Sequence, residues 1–240
     1  MGARLEVSTM SRLLEGVRLF RREVYPRRRE VYEAAARTPR RPHTLFITCS
    51  DSRVEPEVIT QSCPGEIFVT RNVGNLVPAY GEMLGGVSAV IEYAVAALGV
   101  RHAVVCGHTD CGAMIALLHP EQAEKLSTVQ AWLRSAEAAR SVVDACGHGA
   151  DGGHALNALI ELNVRLQMIH LRTHPAVAGR LAEGSLTVHG WVYDIGNGDV
   201  RILDPRSDHF VPIDDFEIAS PEPGAGQVPS STKRCAGSGV

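Results

Sequence analysis

Two short strings hold the residues best suited to chemistry in this chain: Cys49-Ser50-Asp51-Ser52-Arg53 and His108-Thr109-Asp110-Cys111. Two thiolates and one imidazole make a three-ligand zinc set, and a tetrahedral ion then keeps a fourth position for water or a carboxylate. An open position is the mark of a catalytic rather than a structural zinc. Either string alone is weak evidence, because a buried cysteine is often just a small apolar residue. Cys106, inside an apolar run, reads that way, and Cys63 and Cys146 read as inert. Cys49 and Cys111 differ in being surrounded by polar loop residues. The chief chemical rival is a cysteine nucleophile of the Cys-x5-Arg phosphatase kind. Position 55 is Glu55, the arginine comes too early at Arg53, and Asp51 would repel a phosphate.

The elements that must position these strings alternate between strand and helix. Thr44 to Thr48 is a near-continuous apolar run, as in a strand covered on both faces. Ile67 to Thr70 and His102 to Cys106 read as two more strands, and Leu186 to Tyr193 and Val200 to Leu203 as a pair around a turn at Gly196-Asn197-Gly198. Helical spacing covers 7–25 up to Pro26, then 27–37. It returns from Gly85 to Leu98 before Gly99, and over 112–118, 122–145 and 151–172, the last with Asp151 as a candidate N-cap. This alternation predicts an α/β fold with a mainly parallel central sheet flanked by helices and an N-terminal helical arm. Both strings lie just past the C-terminal ends of apolar strands, where open parallel sheets place their ligands.

The predicted organisation is one domain over 1–219, with an arm at 1–38 and a disordered Pro-, Gly- and Ser-rich tail at 220–240 that contains Cys235. Hydrophobic content of 45% and charged content of 21% are ordinary for a globular protein, and six cysteines in 240 residues do not read as a disulfide framework. Net charge is −3, which gives no bias toward nucleic acid. Arg18, Arg21, Arg22, Arg27, Arg28 and Arg29 alternate with acids and lack an aromatic stacking platform, so they read as a solvated helix face or subunit contact. No stretch approaches a membrane span, and the N-terminal residues lack the pattern of a secretory signal. The expected location is cytoplasmic. His148 and His154 around Asp151 are explained by a loop and a helix cap without a second metal.

With both strings placed, the sequence resembles the β-class carbonic anhydrases from about Phe20 to Asp204. The likeness includes Pro64-Gly65-Glu66, Phe68-Val69, Arg71-Asn72-Val73-Gly74-Asn75, Ile91-Glu92-Tyr93-Ala94-Val95 and Gly107-His108-Thr109-Asp110-Cys111-Gly112. The resemblance implies one zinc per subunit on Cys49, His108 and Cys111, with an Asp51–Arg53 pair beside it. Asp51 would orient zinc-bound hydroxide, or swing in as a fourth ligand in a closed form. It implies an apolar carbon dioxide pocket near Phe68, Val73 and Tyr93, with Gly112 close by, and a homodimer or assembly of dimers joined through the arm. The implied reaction is reversible hydration of carbon dioxide to bicarbonate and a proton. Zinc suits it because a bound water ionises near pH 7 instead of 15.7. Two alternatives remain on the same scaffold: a carbon disulfide or carbonyl sulfide hydrolase, and a catalytically weak zinc or bicarbonate binder.

Two positions depart from the family pattern. Arg40 stands where the family places a substrate-binding Gln, and a guanidinium cannot both donate and accept as an amide does. Phe46 stands where one subgroup has a Trp that helps bind an inhibitory bicarbonate, although Arg71 and Tyr193 match the rest of that site. The expectation is a protein without that inhibition.

Overall fold

The computed structural model describes residues 9–37, 41–82, 85–147 and 152–217. Six strands form one sheet in the order β2-β1-β3-β4-β5-β6. β1 (Thr44–Cys49), β2 (Ile67–Asn72), β3 (His102–His108) and β4 (Thr187–Tyr193) run parallel, and β5 (Val200–Asp204) and β6 (His209–Pro212) continue the sheet antiparallel. All six β1 residues are buried, as the unbroken apolar run predicts.

Side chains alternate across the sheet and separate into two cores. Leu45, Ile47, Ala103 and Val105 face the larger one, while Phe46, Val104 and Cys106 form a smaller cluster on the opposite parity with Val69, Trp191 and Tyr193. The larger core is roofed by α3 (Gly86–Glu92), α4 (Gly112–Leu118), α5 (Ser127–Leu133), α6 (Glu137–Ala145), α7 (Gly152–Arg172) and α8 (Pro175–Ala182). Helix α7 lies directly on the sheet at Gly190. A Cβ there would stand 2.9 Å from Val164 Cγ1 and 2.6 Å from Met168 Sδ, so glycine permits the approach.

The arm comprises α1 (Thr9–Leu19) and α2 (Arg29–Arg37). The expected break at Pro26 does not occur. A widened helical turn over Phe20–Val24 leads into Tyr25–Arg27, where Pro26 sits in a first turn that needs no N–H from it. Helical geometry lapses at Arg28 instead. Phe20, Tyr25 and Tyr32 pack ring to ring and join the two arm helices.

Two further expectations need correction, and one strand was not expected. The single helix read over 122–145 is two helices, α5 and α6, separated by a tighter turn at Arg134–Ala136 and preceded by another at Pro120–Ala123. Strand β2 runs two residues further, to Asn72. Strand β6 was not foreseen, because four residues that follow a turn and end on Pro212 carry no periodic signal. Asp151 and the segment 220–240 lie outside the described residues.

Candidate metal centre

Parallel pairing of β1 with β3 brings both motifs to one edge of the sheet. Strand β1 ends on Cys49 and its neighbour β3 ends on His108. Cys111 is the N-cap residue of α4, and its carbonyl accepts the Ile115 N–H. The two Sγ atoms and an imidazole nitrogen lie within 4.8 Å of one another, and all three residues are buried. Among the described residues this is the one cluster of its kind.

The surroundings of His108 point one nitrogen at the cluster. Nδ1 lies 2.8 Å from the Thr109 carbonyl oxygen and donates to it. That fixes the tautomer and leaves Nε2 as the acceptor. Nε2 is buried and has no hydrogen-bond partner. A buried, unsatisfied imidazole nitrogen beside two thiols fits a cation better than it fits a packed core. Thr109 is itself fixed: its N–H donates to the Tyr193 carbonyl at 2.9 Å, and its hydroxyl accepts the Ile195 N–H at 3.0 Å.

Electrostatics agree with the donor set. The neighbouring Cys111 thiol pulls Cys49 well below its ordinary range, against the cost of burial, with help from His108 and the Gly74 N–H. The same interaction and burial push Cys111 up. Burial pulls His108 down, but the neighbouring Cys49 sulfur outweighs it and the net shift is upward. Cys111 is thereby kept as a thiol, and a divalent cation held by the trio would displace its proton.

Asp51 and Arg53 form a two-pronged pair. Arg53 Nε donates to Asp51 Oδ1 at 2.9 Å and Nη2 to Oδ2 at 2.8 Å, and the Arg53 backbone N–H adds a bond of 3.0 Å to Oδ1. This pairing holds the Asp51 carboxyl well below the usual carboxylate range. Both carboxylate oxygens are engaged, so Asp51 stands outside the sulfur–nitrogen trio. Arg53 also donates to Asp110 Oδ2 at 2.7 Å and to the Asp110 carbonyl at 3.1 Å. Arg71 ties the first motif down by donating to the carbonyls of Cys49 at 3.1 Å and Asp51 at 2.5 Å.

The expected pocket residues separate into two groups. Gly112 begins α4 immediately after Cys111. Val73 follows β2 in a tight turn, and Asn72 is the register partner of Cys49. Phe68 instead pairs with Leu45, four residues back along β2. At about 3.3 Å per residue its backbone lies roughly 13 Å from the Cys49 end. Its ring packs on Tyr93 with centroids 5.9 Å apart, and Tyr93 is 48% exposed. Arg40 lies outside the described residues.

Several contributors had no signature in the sequence. They are the Gly74 N–H aimed at Cys49 Sγ at 3.4 Å, the Thr109 carbonyl, and Asp110 as second partner of Arg53. The left-handed backbone at Asp110 (φ 55°) turns its carboxylate and carbonyl toward Arg53. Asp is among the few non-glycine residues that adopt this conformation readily.

Known proteins with this arrangement are numerous. A family described as "Carbonic anhydrase" matches residues 44–200. A carbonic anhydrase of Pseudomonas aeruginosa is 49% identical over 204 residues, covering 85% of this chain and 92% of the relative. Among solved structures, the β-carbonic anhydrase CcaA superposes with a TM-score of 0.81 at 41% identity, covering 85% of this chain and 91% of that one. One of two tetrameric β-carbonic anhydrases from Sordaria macrospora gives a TM-score of 0.68 at 30% identity, covering 81% and 96%. Likeness of this extent, spanning the sheet and both motifs, assigns the chain to the β-carbonic anhydrase family, enzymes of carbon dioxide hydration.

Proposed function

We propose that this chain hydrates carbon dioxide reversibly at a zinc ion held by Cys49, His108 and Cys111. The observation that carries the reading is the buried, unpartnered His108 Nε2 converging with two sulfurs. A bound zinc supplies the Lewis acidity that ionises water near neutral pH.

The protein's own residues supply the rest. The Asp51 carboxylate, held ionised by Arg53, accepts a hydrogen bond from the attacking oxygen and so directs its lone pair. Because both Asp51 oxygens are engaged with Arg53, the carboxylate is held away from the trio, which would leave a bound ion a position for solvent. Movement of Asp51 onto the metal would require it to leave three hydrogen bonds. Val73 and Gly112 present an apolar wall beside the ligands, suited to a substrate without polarity. Phe68, with Tyr93 packed on it, lies along β2 away from the metal centre of its own subunit, and the pair is suited to that of a second copy. That arrangement requires at least a homodimer, and the tetrameric relatives are consistent with it.

The Phe46 ring packs edge-on against Trp191 with centroids 5.6 Å apart, and Arg71 is committed to two backbone carbonyls. Neither side chain is free to hold a second bicarbonate, so inhibition by bicarbonate is hyperbolic in this reading, and a sigmoidal dependence would count against it.

Stopped-flow hydration with a pH indicator, on protein of measured zinc content, tests the whole proposal. Turnover proportional to zinc is expected. A fully zinc-loaded protein that binds bicarbonate without turnover would support the weak-binder reading instead.

A further inference from the structure

Asn163 and Gln167 lie one turn apart on α7 and are 1% and 0% exposed. A helix face that packs on an apolar core has no packing use for two amides. Their hydrogen bonds go to the loop after β2. Asn163 Nδ2 donates to the Gly74 carbonyl at 3.1 Å, and Gln167 Oε1 accepts the Val77 N–H at 2.8 Å. Gln167 Nε2 donates to Asn163 Oδ1 at 2.9 Å and to the Ser135 carbonyl at 3.2 Å, which fixes the orientation of both amides.

That loop is an unusual piece of backbone. Gly74 (φ 79°) and Asn75 (φ 50°) are both left-handed, a combination that persists only where its surroundings hold it. Asn72 clamps Leu76 through both its N–H and its carbonyl, and Trp132 Nε1 donates to the Val73 carbonyl at 2.7 Å. Gly74 is the point where the loop meets the metal centre. The Gly74 carbonyl is held by Asn163, and the Gly74 N–H is the group aimed at Cys49 Sγ.

We infer that Asn163 and Gln167 are positioning residues for the metal centre. They hold Gly74 so that its N–H donates to the Cys49 sulfur, and thereby set how much electron density that sulfur gives to a metal. A hydrogen bond to a ligating atom lowers its donor strength, and such outer partners commonly change metal affinity by about 10- to 100-fold. A leucine at position 163 removes the donor, frees the Gly74 carbonyl and lets the turn rotate.

The inference rests on reading the trio as a metal site, and cobalt substitution separates the two. A sulfur-to-cobalt absorption band in the wild-type protein supports the trio, and its absence sinks both readings. Given that band, Asn163→Leu is expected to move it to longer wavelength, because a sulfur without its N–H partner gives up electrons more easily. Far-ultraviolet circular dichroism should be unchanged, which separates the shift from a loss of fold. Gln167→Met should produce the same shift more weakly, through the loss of Asn163's anchor. An unmoved band in folded Asn163→Leu protein overturns the inference. Hydrogen exchange on the wild-type protein decides without any variant. The amide of Val77, accepted by Gln167, is expected to exchange as slowly as those of β3, and exchange at the rate of an open loop overturns the inference.

Discussion

Arg53 is shared by two carboxylates, and that sharing governs Asp51. With its donors divided between Asp51 and Asp110, the guanidinium cannot follow Asp51 if that residue moves. Arg53→Ala should lower kcat by about 10- to 100-fold at neutral pH, in the range found for outer partners of metal sites, with zinc retained. Unchanged kcat, measured by stopped flow, would separate Asp51 from turnover. Lysine is no substitute, because it lacks the two-pronged fork.

The sign of the pH dependence follows from the same pair. Its folded-state pKa being depressed, Asp51 contributes stability above its unfolded value of about 3.9. That contribution is lost only as pH falls through the lower native value. Asp51 is therefore ionised throughout the neutral range, and an acid limb of activity near neutrality belongs to another group. The trio behaves in the opposite sense: Cys111 holds a proton that a cation must displace. Zinc uptake by metal-free protein near pH 7 should release protons, and affinity should fall as pH falls. Calorimetry in buffers of different ionisation enthalpy measures this, and proton-neutral uptake would contradict it. The Cys49–His108–Cys111 cluster and the Asp51–Arg53 pair were legible in the sequence because they lie in two short polar strings after apolar runs. Gly74, Asn163 and Gln167 were not, since a side chain that bonds a backbone group across the fold leaves no local pattern.

Strand ends and one helix do the positioning at the scale of elements. Cys49 and His108 converge because β1 and β3 are parallel neighbours of nearly matched length. Helix α7 then holds the sheet face and the Gly74 loop together. Its approach at Gly190 leaves no room for a methyl group beside Val164. Gly190→Ala should destabilise the fold by about 1–3 kcal/mol through overpacking, read as a lower Tm, and an unchanged Tm would mean that α7 is not tightly seated. The parallel strands and the long helix were readable from apolar runs and helical spacing. The division of 122–145 was not, because apolar spacing continues through the tighter turns that break it. Strand β6 owes its existence to pairing with β5, which no local propensity reports.

As a whole molecule the described chain leaves two features unfinished. The arm turns Met10, Leu13, Leu14 and Val17 to solvent, and Tyr93, packed on Phe68, stands half exposed. A second copy would cover the first and make use of the second. Light scattering should give an even multiple of 25.8 kDa, and removal of residues 1–37 should lower the assembly state and kcat together. A fully active monomer would contradict that account. The arm was legible as an amphipathic helix, but its destination was not, because one chain's sequence does not encode which surface of another it meets. Among the described residues no helix is long and apolar enough to cross a membrane.

The most direct measurement is zinc K-edge X-ray absorption on protein whose carbon dioxide hydration rate has been recorded from the same sample. The expected spectrum has two sulfurs at about 2.3 Å, one imidazole nitrogen at about 2.0–2.1 Å and one further light atom. An active sample whose zinc is surrounded only by oxygen and nitrogen would contradict the account.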